Sequence, residues 1–195
     1  MSLRKNIKAD VIRQQGYWKF SLFIRLVLFQ RTFRPIFTMR LCQSFNDGGI
    51  FKRKTFGSMA RIFHHFATNR AAMDFPWRTQ IGPGFRIDHG WGLVVSEGAT
   101  IGANCTVFHG VTIGRKDTIT RNEKRVASYP VVEDEVWIGP HAVVTGGVRI
   151  SRGSRIAPGT VVTSDVEAHT IVGGNPMRVL REDAEHDVSK PAPLD

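Results

Sequence analysis

Acidic side chains are almost missing from the first third of this chain. Residues 1–70 carry 14 Lys and Arg against two carboxylates, Asp10 and Asp47, whereas residues 71–195 carry 13 against 15. The formal net charge of +10 therefore belongs to an N-terminal annex. Such an annex suits a nucleic acid, an anionic membrane or an anionic substrate. No nucleic-acid-binding motif accompanies it, so no nucleic acid partner is expected. Cysteine is scarce too. Cys42 and Cys105 are too few for a disulfide scaffold, fit a reducing compartment, and read as packed small hydrophobes. The longest apolar run, from Phe20 to Phe29, is interrupted by Arg25. It is too short to span a bilayer, starts too late for a signal peptide and lacks a small-residue cleavage site. A cytoplasmic protein is expected. The seven histidines show no metal-ligand spacing, so no metal site is expected.

What the chain does have is a period of six. Aliphatic residues recur at Val95, Ile101, Val107 and Ile113, then at Val132, Ile138, Val144, Ile150, Ile156 and Val162. Four places after these anchors stand small or β-branched residues, among them Ala99, Cys105, Val111, Ala142, Ser154 and Thr160. A period of six suits neither a lone helix nor a two-sided strand. It suits a solenoid in which each hexad gives one short strand and one turn, with the anchors stacked inside.

The surroundings of the repeat divide the chain into a helical region at 1–73, the repeat domain at 74–181 and a polar, flexible tail at 182–195. Helices are expected over 7–34, 36–45 and 51–69, with Pro35 breaking or restarting the pattern between the first two. A solenoid end must be covered, so the annex should pack on the first coil. Trp18, Phe20 and Phe23, flanked by Lys and Arg, also give residues 1–34 the composition of an interfacial helix, so peripheral contact with the inner membrane face is a second expectation. Ile87 and Val95 are eight apart rather than six, which places two extra residues near Trp91–Leu93. The period is lost again over Arg115–Val131, a charged stretch that reads as a structureless loop thrown out from one corner.

The hexads resemble those of the hexapeptide-repeat acyltransferases, which implies a mainly β fold: a left-handed parallel β-helix of three hexads per coil behind the helical region. The likeness runs over about 74–181. It is nearest to the serine acetyltransferase branch and to its short relatives that acetylate bacterial polysaccharides, such as the colanic acid acetyltransferases. Ile87-Asp88-His89 resembles the element that carries the catalytic histidine of serine acetyltransferases, and Asp74, fifteen residues earlier, stands where the family has the aspartate that pairs with it.

The hexad arithmetic adds to this. His89 and His109 each lie two past an anchor, and those anchors are one coil plus the two extra residues apart, so the two imidazoles should sit one above the other. A neutral imidazole oriented by a carboxylate is the group that an alcohol needs as it attacks a thioester. His89, Asp74 and His109 are therefore the expected catalytic residues. A zinc enzyme on such a fold would need three histidines, and His141 falls one place out of phase.

Two departures from the serine branch point to another acceptor. Its Arg-His-Pro element is Ser128-Tyr129-Pro130 here, and His109–Gly114 (His-Gly-Val-Thr-Ile-Gly) resembles the run of the polysaccharide relatives. The expected activity is thus acetyl-CoA-dependent O-acetylation of a surface-polysaccharide hydroxyl, with Asp88 and Tyr129 binding the saccharide; the alternative is serine O-acetyltransferase of cysteine biosynthesis. The resemblance also implies a homotrimer with acetyl-CoA in a groove between subunits. Ala142, Gly147 and Ala157 would keep that groove open, and Arg155 or Arg178 would meet the phosphates.

Overall fold

The computed structural model describes residues 2–185 and 188–194. Five helices come first: α1 (Leu3–Gln15), α2 (Phe20–Phe29), α3 (Phe33–Asn46), α4 (Ile50–Lys54) and α5 (Phe56–Ala71). Short strands then wind in coils of three. The first coil is β1 (Gln80–Ile81), β2 (Arg86–Ile87) and β3 (Val94–Val95); the second is β4 (Thr100–Ile101), β5 (Thr106–Val107) and β6 (Thr112–Gly114). A hairpin of β7 (Lys116–Ile119) and β8 (Arg125–Ser128) follows. The third coil is β9 (Val131–Val132), β10 (Trp137–Ile138) and β11 (Val143–Thr145); the fourth is β12 (Arg149–Ile150), β13 (Arg155–Ile156) and β14 (Val161–Val162). The strands β15 (Ile171–Gly173) and β16 (Arg178–Arg181) end the stack.

Each strand pairs in parallel with the strand three places on around the stack. The result is three faces: β1-β4-β9-β12, β2-β5-β10-β13-β15 and β3-β6-β11-β14. The register places anchor on anchor: Ile81 on Ile101 on Val132 on Ile150, Ile87 on Val107 on Ile138 on Ile156, and Val95 on Ile113 on Val144 on Val162. Two residues per strand suffice because the pleat turns one outward and one inward, and the inward residue is always the anchor. The ten anchors counted in sequence are at most 2% exposed.

The corners follow from the same count. The third residue after an anchor repeatedly has positive φ, at Gly84, Gly90, Asn104, Gly110, Glu135, His141, Gly153 and Gly159. A left-handed residue there turns the chain from one face to the next.

Both ends of the stack are covered. Phe75 and Phe85 stack at 6.0 Å and join Ile36 and Met39 of α3 in the same buried cluster as the anchors. At the other end β16 pairs antiparallel with β15. The annex is tied on by a buried ion pair: Arg40 of α3 and Asp10 of α1, both about 1% exposed, lie 3.0 Å apart. Arg40 also donates to the carbonyls of Ile81 and Gly82, and Asp10 accepts from the Phe85 amide, so one pair joins two helices to the first coil.

Three sequence expectations need correction. The helix expected over 7–34 is two helices, because Gly16 at φ +92 caps α1 and the chain re-enters a helix only at Phe20. Pro35 restarts the pattern, as the sequence allowed: it sits in the first turn of α3, where its missing N–H has no helical partner to lose. The loop expected over 115–131 is largely the β7–β8 hairpin, with Asp117 held between Arg115 and Arg125. The flexible tail expected at 182–195 does not hang free over its described residues. Ala192 is buried beside Ala9 and Ile12 and exchanges two hydrogen bonds with the Asn104 side chain, while Arg13 donates to the Ser189 carbonyl. The two cysteines are both buried, and burial pushes their thiols up to about 11 for Cys42 and about 12 for Cys105.

Replacing Arg40 by Ala leaves the Asp10 carboxylate charged, buried and without its counter-ion. Urea unfolding should show a loss of about 3–5 kcal/mol. A loss under about 1 kcal/mol would mean that the pair is not what ties the annex to the coils.

Candidate active site

One corner differs from the others. Between β2 and β3 both His89 (φ +64) and Gly90 (φ +70) are left-handed, and the two extra residues of this coil follow them. A left-handed non-glycine residue costs on the order of 1–3 kcal/mol and persists only where its surroundings hold it. Here the Gly90 amide donates to the Asp88 carbonyl at 2.8 Å. The Arg31 guanidinium donates to the His89 carbonyl and, at 2.6 Å, to the Ala71 carbonyl. Its flat face lies 3.7 Å from the centre of the Trp91 ring. Arg31 thus locks the corner from the annex side, and desolvation there lowers its pKa. No motif or spacing marks Arg31 in the sequence; its role exists only once α2 and α3 have folded onto the first coil.

The His89 side chain is exposed, and the His109 ring lies 5.8 Å from it, nearly perpendicular. His141 continues the stack, its ring 4.9 Å from that of His109. In the hexad count His141 is one place out of phase, yet its left-handed backbone and the bond from its amide to the His109 carbonyl (3.0 Å) bring it into line. The sequence reading missed this third imidazole because it counted residues and not turn shape. Gly110 makes room for it: a Cβ there would meet the His141 ring at 2.2 Å, and the position is itself left-handed at φ +66. The Nδ1 atom of His109 is buried without a hydrogen-bond partner among the described residues. Among the described residues no group of three or more His, Cys, Asp or Glu is disposed to hold a metal ion.

The other expected residues are spread more widely. Asp74 bridges to Val94, just above the first coil, and its side chain is exposed; no hydrogen bond joins it to His89. Asp88 was expected to bind substrate, but its carboxylate is taken by Arg86 at 2.8 Å on the outer β2 face. Tyr129 lies at a different corner, between the β6 and β9 faces, with its ring against Gly98, where a Cβ would sit 2.5 Å from it. There it lines a cleft of about 700 Å³ with Arg78, Glu97 and Arg115.

The residues expected for coenzyme binding do not share one groove. Ala142 is wholly buried among the anchors, a correction that follows from its place four after Ile138, which faces inward. Gly147 lines a cleft of about 730 Å³ beside the β7–β8 hairpin. Arg155 lies over Trp137 on the β13 face, 5.3 Å from its ring centre. Ala157 stands at the corner that carries the histidines, and Arg178 is exposed on β16.

The chain matches two family models, bacterial transferase hexapeptide (six repeats) over 129–164 and hexapeptide repeat of succinyl-transferase over 92–119. It is 34% identical over 158 residues to a serine acetyltransferase of Bacillus pumilus, covering 81% of this chain and 68% of that protein. Among solved structures it is similar to serine acetyltransferase from Brucella abortus in complex with coenzyme A, with a TM-score of 0.70 and 27% identity over 95% of this chain and 68% of that one. Soybean serine acetyltransferase complexed with serine gives a TM-score of 0.70 and 26% identity over 92% and 70%. These relatives overturn the expectation of a polysaccharide acceptor. That expectation leaned on Tyr129 in place of a histidine, and in the folded chain Tyr129 stands at another corner than His89, so it does not decide what His89 meets within one chain.

If Arg31 is what holds the corner, Arg31→Ala should leave the fold intact and loosen only its surroundings. Hydrogen exchange should show the Gly90 and Leu93 amides exchanging about tenfold faster, with global stability down by no more than about 1–3 kcal/mol. Unchanged exchange at both amides would remove Arg31 from this role.

Proposed function

We propose that this chain, which belongs to the hexapeptide-repeat acetyltransferase family and is an O-acetyltransferase, acetylates the hydroxyl of serine from acetyl-CoA. The observation that carries the acceptor is the likeness to serine acetyltransferases across both the helical annex and the coils, with His89 presented at the corner where Ile87-Asp88-His89 resembles their catalytic element. We assign residues 74–181 to the transferase unit and 1–73 to its helical annex, and take the left-handed sense of the coil from the family.

In this reading His89 is the general base. Its imidazole takes the proton of the seryl hydroxyl as that oxygen attacks the thioester carbonyl carbon. The tetrahedral intermediate collapses with cleavage of the carbon–sulfur bond, and the departing thiolate recovers the proton from the imidazolium. O-acetylserine and free coenzyme A result. Asp74 orients the His89 ring once a substrate or a neighbouring chain has closed the corner; catalytic hydrogen bonds are often open before that. In this reading His109 donates to the developing oxyanion.

Serine carries a carboxylate and an ammonium, and the Tyr129 cleft offers both signs, with Arg78 and Arg115 near Glu97. That cleft and His89 occupy different corners of one chain. A site drawing on both needs a second copy, which supports a homotrimer with the acetyl-CoA groove between subunits, lined by Gly147, Ala157, Arg155 or Arg178.

Adding L-serine to the protein with acetyl-CoA should release thiol at about 1 per second or faster. No release above background hydrolysis would overturn the acceptor. His89→Ala should lose at least about a hundredfold in turnover with coenzyme binding near normal, and Asp74→Asn should be slowed as well. A His109→Ala variant that is dead beside a His89→Ala variant within a few-fold of wild type would exchange the two roles. Light scattering should give three times the 21.9 kDa chain mass, and a stable monomer at micromolar concentration would contradict the trimer.

A further inference from the structure

Helix α5 is amphipathic in an inverted sense. Its buried stripe consists of small or polar residues, Gly57, Ala60, His64, Thr68 and Ala71, which let it lie close on α3. Its outward stripe, at spacings of three and four, is Phe56, Met59, Ile62, Phe63 and Phe66, each between 47% and 65% exposed. The preceding α4 extends the apolar surface with Ile50 and Phe51, at 65% and 73% exposed. A soluble surface scatters such residues singly; seven within two consecutive helices mark a face that something covers.

The charges say what covers it. No Asp or Glu stands between Asp47 and Asp74, whereas Lys52, Arg53, Lys54 and Arg70 are exposed and, among the described residues, in no ion pair. In a two-fold contact between copies this surface would meet itself, cation against cation, with no local carboxylate to relieve the repulsion. An anionic bilayer offers both complements: acyl chains for the aromatic stripe and headgroup phosphates for the cations.

We propose that the α4–α5 face is a docking surface for anionic lipid membranes, lying in the interface with Phe56, Phe63 and Phe66 inserted and Lys52–Lys54 at the headgroups. The site differs from the segment expected from sequence, where Phe23 turns inward against Phe33 and Phe37 while Trp18 and Phe20 stay exposed at 37% and 68%. No helix among the described residues is long and apolar enough to cross a membrane, so the contact is peripheral. It is independent of the acceptor at His89.

The test is co-sedimentation of the full chain with phosphatidylglycerol-containing and pure phosphatidylcholine vesicles, at low and high salt. Binding should be confined to the anionic vesicles and should weaken by about tenfold or more as salt rises from 50 to 500 mM. The Phe63→Asp/Phe66→Asp double variant, altered only at exposed positions, should keep its circular dichroism, its thiol-release rate and its solution mass, yet lose about tenfold or more in vesicle affinity. Equal vesicle binding by wild type and double variant would overturn the proposal, as would no binding by wild type. A double variant that falls to a smaller solution mass, with no vesicle binding by wild type, would assign the face to a contact between copies instead.

Discussion

The whole molecule depends on interior anchors stacking in register. A strand of two residues has no stability by itself. Here each contributes one aliphatic side chain to a continuous column and its backbone to the next coil, as in the run from the Val94 amide to the Val111 carbonyl, Thr112 to Ala142 and Val143 to Thr160, at 2.8 to 2.9 Å. Because every coil buries the same kind of residue at the same place, the coils between repeats can carry any outward chemistry. The period can be broken at corners as well, by two residues after Ile87 and by a hairpin after Ile113, without disturbing the columns.

A column of this kind has two open ends, and the protein closes them differently. At the first coil it uses aromatic rings, α3 and a buried Asp10–Arg40 pair whose hydrogen bonds reach three elements. At the last it folds β16 back antiparallel, which ends the repeating parallel edge. The annex is therefore part of the first coil's packing, and the same helices supply Arg31 to the candidate site. Their position there explains why a basic, carboxylate-poor segment can carry large apolar residues outward on α5 while its small residues face in.

The site gathers where regularity fails. Most corners need one left-handed residue, and this one has two in succession, held by Arg31 and Trp91. The imidazoles of His89, His109 and His141 then stack along one corner at roughly the coil spacing. The charged lining of the Tyr129 cleft, Arg78, Glu97 and Arg115, lies at another corner of the same chain.

How much was legible follows from the range of each interaction. The hexad anchors were readable because they depend on a count along the chain; with the three-hexad coil that the family likeness implied, the same count set His89 beside His109, since a stacked solenoid converts sequence spacing directly into position. The same count showed where two residues were extra, and the family likeness of Ile87-Asp88-His89 marked the corner. What the count missed was turn shape and long-range contact. His141 joins the stack through a left-handed backbone, and Arg31 reaches the corner across 58 residues. Asp88 is diverted to Arg86, Ala142 faces the interior, and the C-terminal segment returns to α1 and Asn104. Periodicity along the chain determined the solenoid by itself; only the tertiary structure decided which side chains meet at its corners, because those contacts join residues that no local pattern relates.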